Sequence, residues 1–402
     1  MQGWKTWGVL AVPDFRRVWL VGLLVSVARW LEMLVIAVVV WQQTASGLLV
    51  ATMMLLRLLP MGLFGALLGV AADRVERRSV LVGVLLMQAA VAGGLALLAM
   101  AGALGVVSLG LGCFLSGLAW ATDNPVRRMM LGEIVGAARM APAMSFDVVA
   151  NNASRIAGPV VGGTILAALG PAAAFGVSFL LYAIGIFAAL RVTWRSQAVR
   201  RNGSVLLETL RSYQLVLASP GMRGILLVTI IFNLFGWPAA SMVPVVGQDS
   251  FGLGAGGAGL LTSMDGVGAL IGAMLLARRA PPEWFRRVYI GGAGLYCLMI
   301  AIFALSPSAI PAGTALVAMG VGGAGFATMQ TTLVYTSTPP ELRSRALGVL
   351  SVCVGLGLLG FLQLGLLANW LGPARATAVV GAEGLVALVV TWPWWRVRRE
   401  TR

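Results

Sequence analysis

Gly69-Val70-Ala71-Ala72-Asp73-Arg74-Val75-Glu76-Arg77-Arg78 is a short charged hairpin set between two long apolar runs. Charge this dense, this close to hydrocarbon, belongs on the water side of a membrane, because a charge at mid-bilayer costs about 2.5–3.5 kcal/mol on insertion scales. The same alternation extends along the chain. Hydrophobic residues fill 59% of the 402 positions and charged ones 11%, where soluble domains average about 25% charged. Runs long enough to cross roughly 30 Å of hydrocarbon recur throughout.

Twelve spans are predicted, near 18–42, 47–71, 79–101, 105–122, 145–169, 172–191, 223–246, 253–277, 288–306, 310–336, 345–368 and 374–395. Only helices and closed barrels satisfy their backbone hydrogen bonds in lipid. Barrel strands alternate apolar and polar residues in short segments, and these runs do not. The expectation is an all-α integral membrane protein, with twelve transmembrane helices in two six-helix bundles. The long polar stretch 191–221 separates an N-terminal bundle, 1–190, from a C-terminal one, 222–402. Within that stretch, 205–217 carries apolar positions on one helical face and reads as an interfacial helix on the cytoplasmic leaflet.

Arginine placement sets the orientation. Arg16 and Arg17, Arg74 to Arg78, Arg127, Arg128 and Arg139, Arg191 to Arg211, Arg278 to Arg287, Arg343, Arg345 and the tail from Arg396 all fall on one side. The opposite loops are short and lack basic residues, so both termini are expected in the cytoplasm of a cell inner membrane. The first apolar run is too long for a signal peptide.

The 29 basic and 14 acidic residues give a net charge of +15. The long charge-free runs leave no phosphate-tracking surface, so nucleic acid is not an expected partner. The sequence has no histidine, which removes the commonest metal ligand and neutral-pH proton carrier and rules out a Ser-His-Asp triad. Cys113, Cys297 and Cys353 lie far apart inside apolar runs, with no metal-site or disulfide spacing. No G-x-x-x-x-G-K-[ST] loop is present, so nucleotide-driven transport is unsupported. Neither an enzyme, a metal nor a cofactor is expected. The remaining energy source is a proton gradient acting on carboxylates.

Three segments resemble motifs of the major facilitator superfamily: the 69–78 hairpin, Gly158-Pro159-Val160-Val161-Gly162-Gly163, and Pro340-Glu341-Leu342-Arg343-Ser344-Arg345. With twelve spans and a central loop, the resemblance covers nearly the whole chain. Glu76 stands where the first motif usually has glycine; with Arg57-Leu58-Leu59-Pro60 it looks more like the siderophore- and drug-exporter branch than the sugar importers. The resemblance implies that Gly69, Asp73, Arg74, Arg77 and Arg78 form a cytoplasmic gate, joined by Asp147, Glu341 and Arg343. It also implies that the Gly158–Gly163 run belongs to a proton-exchanging exporter, working as a monomer. Physically, Gly158, Gly162 and Gly163 permit close helix contact, and Pro159 removes a backbone donor.

Ionisable residues inside spans mark a pathway or a partner. Arg29 and Glu32 are three apart, on one face of span 1. Asp265 lies mid-way along span 8; Arg57 is in span 2, Arg155 in span 5 beside Asn151 and Asn152, and Asn233 in span 7. Low dielectric favours the neutral form of a carboxylic acid, which suits reversible protonation. Glu32 and Asp265 are therefore the candidate proton carriers, with Arg29 or Arg57 as countercharge. A static salt bridge of Glu32 with Arg29 is the competing reading, and Glu383 in span 12 has no assigned role. The expected function is export of a small organic molecule by proton antiport. Alternatives are an importer, uniporter or lipid flippase of the same fold, or a membrane scaffold or sensor. In all cases the bilayer is a partner.

Overall fold

A computed structural model describes residues 7–73, 75–136, 139–195, 220–279, 281–338 and 343–395. The expected interfacial helix at 205–217 lies outside the described residues. Described residues are almost entirely helical: α1 Pro13–Thr44, α2 Gly47–Asp73, α3 Arg77–Met100, α4 Val106–Val135, α5 Met140–Leu190, α6 Pro220–Ile231, α7 Trp237–Ala240, α8 Val243–Asp249, α9 Ala255–Arg279, α10 Phe285–Ala304, α11 Ala309–Ser337, α12 Arg343–Gly355, α13 Gly357–Leu371, α14 Pro373–Val390 and α15 Trp392–Trp395.

Among the described residues, eleven helical stretches are long and apolar enough to cross a membrane. One of them, Pro142–Leu190, has 49 residues, about 75 Å at 1.5 Å per residue, more than twice the hydrocarbon thickness. It therefore holds two spans. The break is at Gly170, whose φ of 79° is the left-handed backbone that glycine tolerates, followed at once by Pro171. Divided there, the described stretches number twelve, close to the expected count.

Some boundaries differ. Span 4 does not stop near 122 but continues as α4 to Val135, through Asp123, Pro125 and Arg127. Span 7 is not one helix. It runs α6, then a π-helical stretch Phe232–Gly236, then α7 and α8, with Pro238 and Pro244 interrupting the ladder. Span 11 is divided at Leu356, between α12 and α13.

The described packing forms two compact units: Met1–Gln43, Leu56–Arg201 and Gly254–Ser263 in the first, and Thr44–Leu55, Asn202–Leu253 and Met264–Arg402 in the second. In the first, α1, α3, α4 and the second span of α5 bury a continuous core that includes Phe15, Val18, Leu85, Met130 and Tyr182. Hydrophobicity alone does not drive helices together in lipid, so close backbone approach matters. A Cβ at Gly117 would overlap the Arg57 carbonyl, which fixes α4 directly on α2. Gly158 lies against Trp30 and Gly162 against Leu31, so span 5 sits tightly on α1. Gly163 faces the other way, toward Ala255 and Gly259 at the start of α9. In the second unit, Gly292 and Gly322 bring α10 and α11 into backbone contact.

Gly117→Ala should therefore push α2 from α4 at a cost of roughly 1–3 kcal/mol. Gly94→Ala, in α3 with open space around it, should be neutral or stabilising, since alanine is about 1 kcal/mol the better helix former. Thermal unfolding of the two variants in detergent compares them directly; equal melting temperatures would contradict the packing described.

Candidate functional site

Polar residues of four spans converge inside the first unit. Glu32 on α1 is 4% exposed and Arg57 on α2 is 2% exposed, and Arg57 Nη2 donates to Glu32 Oε2 at 3.3 Å. Of the two countercharges considered, Arg57 is thus the partner of Glu32, and among the described residues the competing Arg29–Glu32 bridge does not form. Being three residues apart placed Arg29 and Glu32 on one face, but it did not place their charged ends together. Arg29 instead donates to Asn151 Oδ1 of α5 at 2.9 Å and to Ser26 Oγ at 3.4 Å. Its guanidinium lies 5.2 Å from the centre of the Trp120 ring on α4, a cation–π contact. Arg155 makes a similar contact with Trp30, at 5.4 Å. The hydroxyls of Ser178 and Tyr182, both fully buried on the second span of α5, stand beside the Glu32 carboxylate.

A second ionic cluster lies one to two turns further along α4. Arg127 pairs with Asp123 at 3.7 Å and also with Asp147 of α5, and Arg128 donates to the other Asp147 oxygen at 3.0 Å. All of Asp123, Arg127 and Asp147 are buried. Gly22 makes room for them on α1, because a Cβ there would strike the Arg127 guanidinium. Arg127 thereby ties α1, α4 and α5 together. Asp147, named above with the gate, holds both arginines.

At the hairpin, Arg77 pairs with Glu133 of α4. Arg78 donates to the carbonyls of Ala189 and Leu190 at the carboxyl end of α5, where unsatisfied acceptors and the helix dipole favour a cation. Glu76, the departure from the family pattern, accepts from Arg195 at 2.6 Å and from Ser79 at 2.9 Å. The Arg195 hydrogen bond holds the Glu76 carboxyl below the usual carboxylate range. A depressed carboxyl gives its stability above its ordinary range and loses it as the pH falls through the folded value, so this strap persists at neutral pH. Arg74 and Glu341, and the side-chain surroundings of Gly69, Asp73 and Arg343, lie outside the described residues.

Asp265 and Asn233 belong to the second unit. Asp265 is half-buried on α9, where its carbonyl meets Gly320 of α11. Asn233 is buried in the π-helical stretch and donates to the Thr229 carbonyl at 2.8 Å. Thr229 in turn hydrogen-bonds the Tyr289 hydroxyl at 2.8 Å and accepts from Gln330 at 3.0 Å. Phe326 stacks on Phe232 and Tyr289, with ring centres at 3.8 and 5.0 Å. Glu383 accepts from Gln363, pairing α14 with α13. The three cysteines are buried and free.

Sequence reasoning missed Asp123, Trp120, Ser178, Tyr182, Thr229, Tyr289 and Gln330. The Asp123–Arg127 spacing of four was a usable signal for one helical face, hidden once span 4 was ended too early.

Asp147→Asn would leave Arg128 without its anionic partner and Arg127 with Asp123 alone. Breaking a buried pair costs about 3–5 kcal/mol, so a large fall in melting temperature is expected. Arg128→Ala, on a side chain 48% exposed, should cost under about 1 kcal/mol. Comparable losses for the two would overturn the assignment of Asp147 as a buried junction.

The fold matches solved transporters. A transporter of the POT family in complex with 5-aminolevulinic acid superposes with a TM-score of 0.75, at 12% identity, over 95% of this chain and 96% of that one. The nucleoside transporter NupG gives 0.72 at 13% identity, over 96% and 100%. A bacterial homologue of the human lysosomal transporter Spinster gives 0.66 at 16% identity, over 95% of each chain. In sequence, the MFS-type transporter YfiS of Bacillus subtilis (strain 168) is 26% identical over 382 residues, 90% of each protein. A family profile described as transmembrane secretion effector matches residues 4–400. The chain is a membrane transporter, not an enzyme, and it belongs to this transmembrane secretion effector family of the major facilitator superfamily.

Proposed function

We propose that this transporter exports a small organic molecule across the bacterial inner membrane in exchange for protons, by alternating access, as a monomer with both termini in the cytoplasm. The observation that carries the reading is the Glu32 carboxylate, buried in span 1 and held by one arginine of span 2 at 3.3 Å. Desolvating an ion pair is expensive, and in membrane spans such residues mark proton relays or substrate paths. Proton uptake by Glu32 cancels the charge that Arg57 binds and frees α1 from α2 at this level; proton loss restores the pair. Asp265 serves as a second carrier. Arg29, Asn151, Arg155 and Asn233 supply polar contacts along the path.

The family description, a secretion effector, supports the outward direction. Glu76 and Arg57-Leu58-Leu59-Pro60 favour the siderophore- and drug-exporter branch as the source of substrates. The hairpin residues Asp73, Arg74, Arg77 and Arg78, with Glu341 and Arg343, act as the cytoplasmic gate. In support, Arg77 and Arg78 grip α4 and the end of α5.

Proteoliposomes with an entrapped pH-sensitive dye test this reading. Siderophores, lipophilic cations and amphipathic drugs would be added under an imposed proton gradient. Substrate-triggered proton movement is expected from the wild type and should be lost, with the fold intact, in Glu32→Gln or Asp265→Asn. Substrate flux without proton movement would leave the fold standing and remove the antiport mechanism.

A further inference from the structure

Two glycines of α10 do different work. Gly292 lies against the Gly322 carbonyl of α11, the close contact described above. Gly294 meets no backbone: a Cβ there would find only Leu388 Cδ1, at an ordinary 3.8 Å. The space it leaves belongs to a groove of about 530 Å³, lined by Ile290 and Gly294 of α10, Leu385 and Val389 of α14, and Trp392 and Trp395 of α15. Val389 is 73% exposed, so the groove is open on the surface of the second unit. One end of it is firmly built. The Trp395 indole donates to the Leu388 carbonyl at 3.0 Å and to Thr391 Oγ1 at 3.1 Å, and its ring meets Trp392 edge-on.

That end carries charge. Exposed Arg287 shares one face of α10 with Ile290 and Gly294, so the groove leads from an arginine into the span. Gly294 lies about 10 Å beyond Arg287 along the helix, within the roughly 15 Å of hydrocarbon in one leaflet. Exposed Leu298 and Ile302 continue the apolar path. Arg286 is held at the mouth by the Trp395 carbonyl, at 2.8 and 3.1 Å. Among the described residues no carboxylate pairs with Arg287, although Glu283 is exposed nearby in the chain. Trp284, Trp392 and Trp394 are exposed at this end, and the chain leaves Trp395 through Arg396, Arg398 and Arg399. Indoles collect at the headgroup level of a bilayer, and clustered arginines attract acidic headgroups.

We propose that this groove is a binding site for one anionic phospholipid. Its phosphate meets the Arg287 guanidinium, with Arg286 adding positive charge, and one acyl chain lies over Gly294 between α10 and α14. A guanidinium holds a phosphate through two parallel N–H donors. A zwitterionic lipid brings its own cation toward the same arginines and binds less well. The chain fills the volume that a side chain at 294 would otherwise occupy, and it ties α14 and α15 to α10. The site is independent of the direction, substrate and coupling of transport.

Native mass spectrometry of the full-length protein in mild detergent tests this. Phosphatidylglycerol and phosphatidylcholine with the same acyl chains compete in equal amounts. One phosphatidylglycerol should be retained in preference to phosphatidylcholine, and excess inorganic phosphate should not displace it. Arg287→Gln should lower the preference about fivefold, the worth of one arginine near an anionic surface. Arg16→Gln, at an exposed arginine of the first unit, should leave it unchanged. Gly294→Leu keeps every charge and should abolish retention by filling the groove. Val389→Phe fills the same space from the opposite, exposed wall and serves where Gly294→Leu does not fold. Equal retention of the two lipids, equal losses in Arg287→Gln and Arg16→Gln, or undiminished retention in the filled groove would overturn the site. Displacement by inorganic phosphate would make it a phosphate site and not a lipid one.

Discussion

An ion pair buried in an apolar bundle is the constraint on which the first unit depends. Glu32 and Arg57 are buried where they sit, and separating them would strand two charges in low dielectric. Around that requirement the helices have little freedom. Arg57 reaches Glu32 from a stretch of α2 whose carbonyl touches Gly117 of α4, so a side chain at 117 would displace the arginine and its helix together. Gly158 and Gly162 hold span 5 against the turn of α1 that carries Trp30 and Leu31, next to Glu32. Small residues and buried charge therefore act as one device: the glycines set the distance, and the charges make that distance matter.

The two units solve the burial of polar groups differently. The first uses guanidinium and carboxylate groups on α1, α2, α4 and α5. The described polar core of the second around Thr229 is neutral, a hydroxyl–phenol–amide chain capped by stacked aromatic rings. There the π-helical stretch at Phe232–Gly236 widens the backbone turn that brings Phe232 onto Phe326, a distortion often found at functional sites. Halves that echo one another in span count have thus diverged in chemistry.

Much of this was legible in the chain. The hairpin at 69–78 and the one-sided arginines identify a multi-pass membrane protein, because hydrocarbon penalises charge wherever the chain folds. The break between spans 5 and 6 was legible for a local reason: Gly170-Pro171 cannot continue a helix. The end of α4 was misplaced because Asp123 and Arg127 read as loop charges. In the fold Arg127 and Arg128 together balance Asp123 and Asp147, which lets a helix carry the charges inside the unit.

The sequence by itself determined the spans, their likeness to a transporter family, and which residues carry charge into the membrane. These follow from transfer free energies and backbone hydrogen bonding, which are properties of short segments. Only the tertiary structure decided that Glu32 pairs with Arg57 rather than Arg29, that Arg29 rests on Trp120 and Asn151, and that Ser178 and Tyr182 stand beside the carboxylate. Pairing depends on the approach and rotation of helices far apart in sequence, set by a few glycine contacts, and spacing along one helix carries no information about that.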